Sequence, residues 1–290
     1  MLRTPFGRYG IVRDAPQGSG MKSGFSFMTR LHAEVIRDGR PVKSKFVMSA
    51  KDRFFGGVRG EQSLIDLGSG LVTNVGVMGM VGEWNYANPS AAVNTILALA
   101  NYHITGTNAT GAAATDITLG TYDSNGAATG VQSSVYAGYG TAQKYQTVAT
   151  QNYTGTEAVT EWGLITSSTV SSTTGTPLTA VTATTATVTG TPLTASSTTV
   201  AGQQAHIIRT TTTAVWGLII SNTTSVLSLA NNGTTGWWTV AGGIAGSTPG
   251  STEAYTLYPV LWDHKVFSAI NVVNGDSIQF TYDLSINSGG

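Results

Sequence analysis

Four histidines, His32, His103, His206 and His264, are the first residues to weigh for chemistry, because imidazole serves as base, acid and metal ligand. They stand far apart in the chain, with no HExxH sequence and no i, i+4 pair that a helix would bring together over a metal. Each reads as a surface or turn histidine. Glu157 and Glu161 come next, as a carboxylate pair of the glycosidase kind. Four residues apart on an extended strand, they lie about 13 Å from each other. Glycosidase pairs need about 5 to 9.5 Å, so both glutamates are expected to face solvent or a partner subunit. Gly138-Tyr139-Gly140 is a fragment of a phosphate-loop pattern without the rest of it, and no GxSxG elbow occurs. The absence of cysteine removes disulfides, thiolate metal sites and thiol nucleophiles together. No catalytic residue, cofactor or metal is assigned, and the chain reads as non-enzymatic.

Aromatic residues offer the other candidate site. Trp216, Trp237, Trp238, Tyr255, Tyr258 and Trp262 gather in the second half of the chain. Tryptophan faces stack on sugars, so Trp216, Trp237, Trp238 and Trp262 are candidate contacts to a host glycan or a neighbouring subunit. The competing reading, which the habits of aromatic side chains favour, is that they fill β-sandwich cores and module interfaces. Asn108, Asn152, Asn222 and Asn232 each begin an Asn-X-Thr triplet, which chance explains in a chain so rich in threonine.

Charge is scarce and unevenly spread. Charged residues make up 10% of the chain, against a usual share of roughly 25%. A membrane span is not the explanation: the longest apolar stretch, Leu71 to Val81, is broken by Thr73, Asn74, Gly76 and Gly79 and falls short of the about 20 residues required. Residues 1 to 60 hold 12 of the 15 Lys and Arg but only 4 of the 15 acids. A basic segment on an acidic body suits nucleic acid or an acidic neighbour. The basic residues are scattered and form no run, which favours contact between subunits, including copies of the same chain, over nucleic acid. Arg3, Arg8, Arg13 and Lys22 are the candidate contacts, on a segment (residues 1 to 23) whose Gly, Pro and Ser and lack of period suggest an extended arm.

The elements that would position these residues are mostly strands. Phe25, Phe27, Leu31, Ala33 and Val35 alternate with Ser26, Arg30, His32 and Glu34. Asp38-Gly39 then supplies a hairpin turn into a return strand around Val42 to Met48. Residues 69 to 84 and 90 to 101 are the helix candidates, the second with Ser90 as N-cap. A strand over Thr156 to Leu164 puts Ala158, Trp162 and Leu164 on one face and both glutamates on the other. The last strand alternates Ile278, Phe280, Tyr282, Leu284 and Ile286 with polar residues, entered through Asn274-Gly275-Asp276 from a strand around Val266 to Val273. Half of residues 166 to 215 are Ser or Thr, yet TGTPLTA occurs twice there, ending at Ala180 and Ala195. WGLI likewise occurs at 162–165 and 216–219. Interleaved Val, Ile, Leu and Trp argue for strands over a disordered tract. The expected architecture is mainly β: an arm (1–23), a β-sandwich with one or two short helices (24–168 with 254–290), and an inserted Thr-rich all-β module (169–253).

Several segments carry a resemblance. FMTRLHAEVIRDGRPV, ANYHITGTNATGAAATDITLGT, YQTVATQNYTGTEAVTEWGLI and LWDHKVFSAINVVNGDSIQFTYDLSINSGG resemble a family of tailed-bacteriophage structural proteins. That family has a β-sandwich with a TEWGLF-like strand and a VFxAINVxxGDSIQFTY ending, matched here by Thr160 to Ile165 and Val266 to Tyr282. This chain departs by interposing residues 169 to 257. The resemblance implies a virion component without catalytic residues or cofactor. The expectation is a capsid decoration or cement protein contacting the major capsid protein or other virion proteins, with self-association, as a trimer. The alternative is a tail, collar or fibre protein whose module binds a host glycan. Neither a membrane nor nucleic acid is an expected partner.

Overall fold

The computed structural model describes residues 9–10, 24–42, 64–84, 99–135, 143–168, 172–174, 177–189, 193, 206–231, 234–239, 245 and 248–289. The described residues are mainly β, with a short helix and three antiparallel sheets, consistent with a β-sandwich. It divides into two compact units, one of Met1–Gly70, Gly130–Val159 and Ala269–Gly290, the other of Leu71–Thr129 and Thr160–Ser268.

The first unit is organised by a seven-stranded sheet. Its path runs β1 (Tyr9–Gly10), β2 (Gly24–Arg37), β20 (Ser277–Gly289), β9 (Gln143–Asn152) and β8 (Val131–Val135). Two further strands, β3 (Arg40–Pro41) and β4 (Leu64–Gly68), also pair with β2. Alternation fixes the register. Leu31 lies opposite Tyr282, Ala33 opposite Phe280 and Val35 opposite Ile278, all buried, while Arg30 faces Asp283 and Glu34 faces Gln279. A slip of one residue would turn every apolar side chain outward. At the end of β2, Asp38 (φ 51°) and Gly39 (φ 69°) both adopt the left-handed conformation that the two-residue turn requires. The return strand is described only over Arg40–Pro41; residues 43 to 48 lie outside the described residues.

That end of the sheet is pinned by a fork. Arg37 donates from Nε and Nη2 to the two carboxylate oxygens of Asp276, at 2.7 and 2.6 Å. The Asp276 carboxylate, 2% exposed, also accepts the Val273 amide at 3.0 Å. Arg37 beside it holds the carboxyl below the usual aspartate range. Asp276 thus ties two turns that are 239 residues apart.

The second unit contains a five-stranded sheet, in the order β5 (Leu71–Val72), β19 (Leu261–Val272), β10 (Glu157–Ile165), β6 (Tyr102–Gly106) and β7 (Ala128–Thr129). It also contains an eight-stranded sheet: β11 (Ser172–Thr174), β18 (Tyr255–Pro259), β14 (His206–Thr210), β15 (Val215–Asn222), β16 (Val226–Leu229), β13 (Thr185–Val188) and β12 (Leu178–Val181), with β17 (Trp238–Thr239) paired to β15. The threonine-rich tract therefore supplies strands, and a core of Leu178, Val188, Ile208, Ile219, Leu227 and Trp237 fills between them.

The helix α1 (Asn74–Trp84) begins later than the sequence predicts, because residues 71–72 pair with β19. Thr73 caps it, accepting the Gly76 amide at 3.1 Å and donating to the Leu261 carbonyl. Gly76 explains a glycine inside a helix: a Cβ there would lie 2.8 Å from the Trp262 carbonyl oxygen. Most of the second predicted helix, residues 90–98, lies outside the described residues.

Candidate functional site: an imidazole between two carboxylates

The most concentrated polar chemistry in the second unit centres on Glu161. Period-2 reasoning puts this residue on a wet face. The structure corrects that: Glu161 has no exposed surface, whereas Glu157 is half-buried and Ala158 exposed. The reason is its strand. β10 lies between β19 and β6, and its residues from Val159 to Ile165 are buried without alternation.

A buried carboxylate must be fully hydrogen-bonded to persist. Glu161 Oε1 accepts the Thr121 amide at 2.7 Å and the Asn108 amide at 3.2 Å. Its Oε2 accepts the Gly120 amide at 3.0 Å and meets His264 Nε2 at 3.2 Å. The space for this headgroup comes from absent side chains. A Cβ on Gly106, directly opposite Glu161 in the β10–β6 register, would lie 2.5 Å from Glu161 Oε1 and 2.1 Å from the Thr121 carbonyl oxygen. A Cβ on Gly120 would collide with the Asn108 side chain at 1.7 Å.

His264, on β19, completes the cluster. Its Nδ1 meets Asp116 Oδ2 at 2.8 Å, and its side chain is 4% exposed against 28% for Asp116. Carboxylates only accept, so a ring bonded to one at each nitrogen carries both protons and is an imidazolium. Burial alone would lower the His264 pKa, but the bonds to Glu161 and Asp116 outweigh it and raise it above the ordinary value. Burial likewise opposes ionisation of Glu161, yet His264 and the three amides bring its pKa below the ordinary value. Asp116 also accepts the Ala113 amide at 2.7 Å. The arrangement anchors the connection between β6 and β7 by an internal charge cluster. Both ring nitrogens are occupied and turned inward, so the imidazole has no free position from which to serve a substrate.

His103 is the second correction to the surface reading of the histidines. It is fully buried on β6, and burial pushes its pKa down to about 3. Its Nδ1 accepts the Trp162 indole N–H at 3.1 Å, so the proton of the neutral ring sits on Nε2. His32 and His206 are half-buried. Among the described residues, no group of three or more His, Asp or Glu has the geometry to hold a metal ion, and no helix is long and apolar enough to cross a membrane.

Three of the four candidate tryptophans pack inside. Trp216, Trp237 and Trp262 are at most 3% exposed. The Trp237 indole donates to the Thr182 carbonyl at 2.9 Å, and that of Trp216 to the Thr239 carbonyl at 3.1 Å. Trp238 is half-buried and stacks on Trp216, with ring centroids 6.2 Å apart. Arg3, Arg8, Arg13 and Lys22 lie outside the described residues. Four acids of the body are spent inside. Glu161, Asp263 and Asp276 are at most 2% exposed, and Glu253, 9% exposed, accepts the amides of Thr213 and Gly250 at 3.0 Å each.

The Glu161 cluster is not legible in the sequence because His264 lies 103 residues from Glu161 and 148 from Asp116. The usable signal was the pair of glycines, Gly106 and Gly120, flanking one polar connection. No protein-family model, no curated protein and no solved structure matches the chain.

Proposed function

We propose that this chain is a non-enzymatic structural component of a tailed-phage virion, a capsid decoration or cement protein that stabilises the shell through contacts with the major capsid protein and with its own copies, as a trimer. One observation carries the reading. The four segments that resemble the phage family contain most of β2 and β9 and all of β3, β6, β10, β19 and β20, together with all three residues of the Glu161 cluster. The resemblance therefore falls on the residues that build two sheets and hold a connecting loop. The eight-stranded sheet is built from what the family pattern lacks.

The chemistry supports the same reading. The most concentrated acid–base groups are locked in hydrogen bonds to backbone and to one another. A low charge content reduces the desolvation cost of subunit contacts. Immunogold labelling of intact purified particles tests the proposal: label spread over the head is expected. Label confined to the neck or tail would replace decoration by a collar or fibre role, and unlabelled particles would remove the virion reading altogether.

A further inference from the structure

Open sheet edges are a hazard that proteins manage by shortness, charge, proline or bulges. Nearly every edge among the described residues follows that rule. β5 and β7 are two residues each, and β11 is three. β12 has four residues and a register break between Leu178 and Ala180. On the outer side of β2, β1 is two residues long, β3 is Arg40–Pro41, and β4 carries Asp66 in an ion pair with Arg30.

β8 does not follow it. The strand reads Val-Gln-Ser-Ser-Val and closes the seven-stranded sheet among the described residues. It pairs with β9 over all five residues without a register break, and carries no charge, proline or glycine. Residues 131 to 134 are exposed, and Val131, at 74%, is the most exposed large apolar residue described.

We infer that β8 is a pairing edge, and that its partner is β8 of a second copy in an antiparallel, two-fold arrangement centred on Ser133. The strand is self-complementary about that residue. Antiparallel pairing there sets position 131 against 135 and 132 against 134, joining valine with valine and glutamine with serine and bringing no charges together. In an antiparallel ladder, alternate residues turn both N–H and C=O to one side. Symmetry about Ser133 matches donors to acceptors whichever alternate set points away from β9. A two-fold contact is isologous and closes on itself. Five residues a side is small for a stable dimer, so the contact is one of modest affinity that becomes effective where many copies are held together. It goes beyond the virion reading and does not depend on it, and it is separate from any three-fold contact.

The cysteine-free chain makes the test direct. Ser133→Cys places two thiols on the two-fold axis within disulfide reach. Thr150→Cys, exposed on β9 away from the edge, reports random collision. Under mild oxidation of the full chain, the Ser133→Cys variant is expected to form disulfide dimers faster than Thr150→Cys by on the order of tenfold. Adding Gln132→Lys and Ser134→Lys, which sets lysines opposite each other, should return the rate to that of the control. Sedimentation of the unmodified chain should show a concentration-dependent dimer that the double-lysine variant lacks. Equal rates at positions 133 and 150, indifference to the lysines, or a monomer at every concentration would each overturn the inference. A strand from a different protein on this edge would give the first of these results.

Discussion

Two strands carry the same four residues, Trp-Gly-Leu-Ile, in two different sheets. In β10 the tryptophan lies opposite Thr105 and the glycine opposite Ile104; in β15 they lie opposite Arg209 and Ile208. Both tryptophans are buried and use their indole N–H, toward His103 in one case and the Thr239 carbonyl in the other. Both glycines make room for leucine: a Cβ on Gly163 would lie 2.8 Å from Leu261 Cδ1, and one on Gly217 2.7 Å from Leu229 Cδ1. The difference is the residue just before. Glu161 opens the first run and Val215 the second. One buried position therefore anchors a loop by ionic hydrogen bonds, while its counterpart only packs. The local pattern sets the strand and its tryptophan; the preceding residue decides whether the interior there is polar.

Glu161→Val, which turns the first run into a copy of the second, should break the comparison most severely. It leaves the amides of Asn108, Gly120 and Thr121 and the imidazole of His264 without their acceptor. Removing one partner of a buried ion pair costs about 3–5 kcal/mol, to be read from urea unfolding. A loss under 1 kcal/mol, about that of an exposed ion pair, would show that the carboxylate is dispensable.

Gly217→Ala and Gly163→Ala sharpen it. Overpacking a core costs about 1–3 kcal/mol. Gly217 should be the more sensitive, because its added methyl also lies 3.0 Å from the Gly236 carbonyl oxygen, whereas at Gly163 the nearest atoms are the ends of leucine and isoleucine side chains. The reverse order in thermal unfolding would mean that the β15 backbone yields more readily than the β10 core.

The pH dependence separates the regions further. His264 has a raised pKa in the folded chain, so its contribution is complete below the unfolded value of about 6.5 and is lost as pH rises through the folded value. Glu161 has a lowered pKa, so its contribution is present above about 4.5 and is lost as pH falls through its folded value. Protection factors of the residues 108–121 amides, which divide out the intrinsic pH dependence of exchange, should be highest between those limits and fall on both sides. Glu253, also lowered, gives the turn at Thr213 only the acid limb. His264→Gln should abolish the alkaline limb for residues 108–121 and leave Thr213 unchanged.

The smallest effect is expected at Ala214, which adopts a left-handed φ of 51° just before β15. Ala214→Gly relieves that conformation and should raise stability by about 0.5–1 kcal/mol. Destabilisation would show that the alanine methyl is needed for packing.

How much the sequence revealed follows the same division. The β2 turn and the β20 alternation were legible because both signals are local: Asp38-Gly39 has a turn chemistry of its own, and one buried face leaves a period of two. Glu161 was illegible for the converse reason. A strand flanked by others and buried along most of its length has no wet face, so alternation misplaced the glutamate. His264 was illegible because its partners lie 103 and 148 residues away. The tryptophans were read as either core or sugar site, and only their depth separates the two.

The place of β20 in its sheet has a consequence in time. It lies between β2 and β9, and every residue of β2 from Gly24 to Ile36 takes its partner from 277–289. During synthesis β2 emerges hundreds of residues before the strand that completes it, and β9 also waits. Neither can be satisfied until translation has passed residue 289. A copy that lacks β20 lacks a central strand and exposes both of its neighbours, so folding of this sheet waits on the synthesis of residues 277–289.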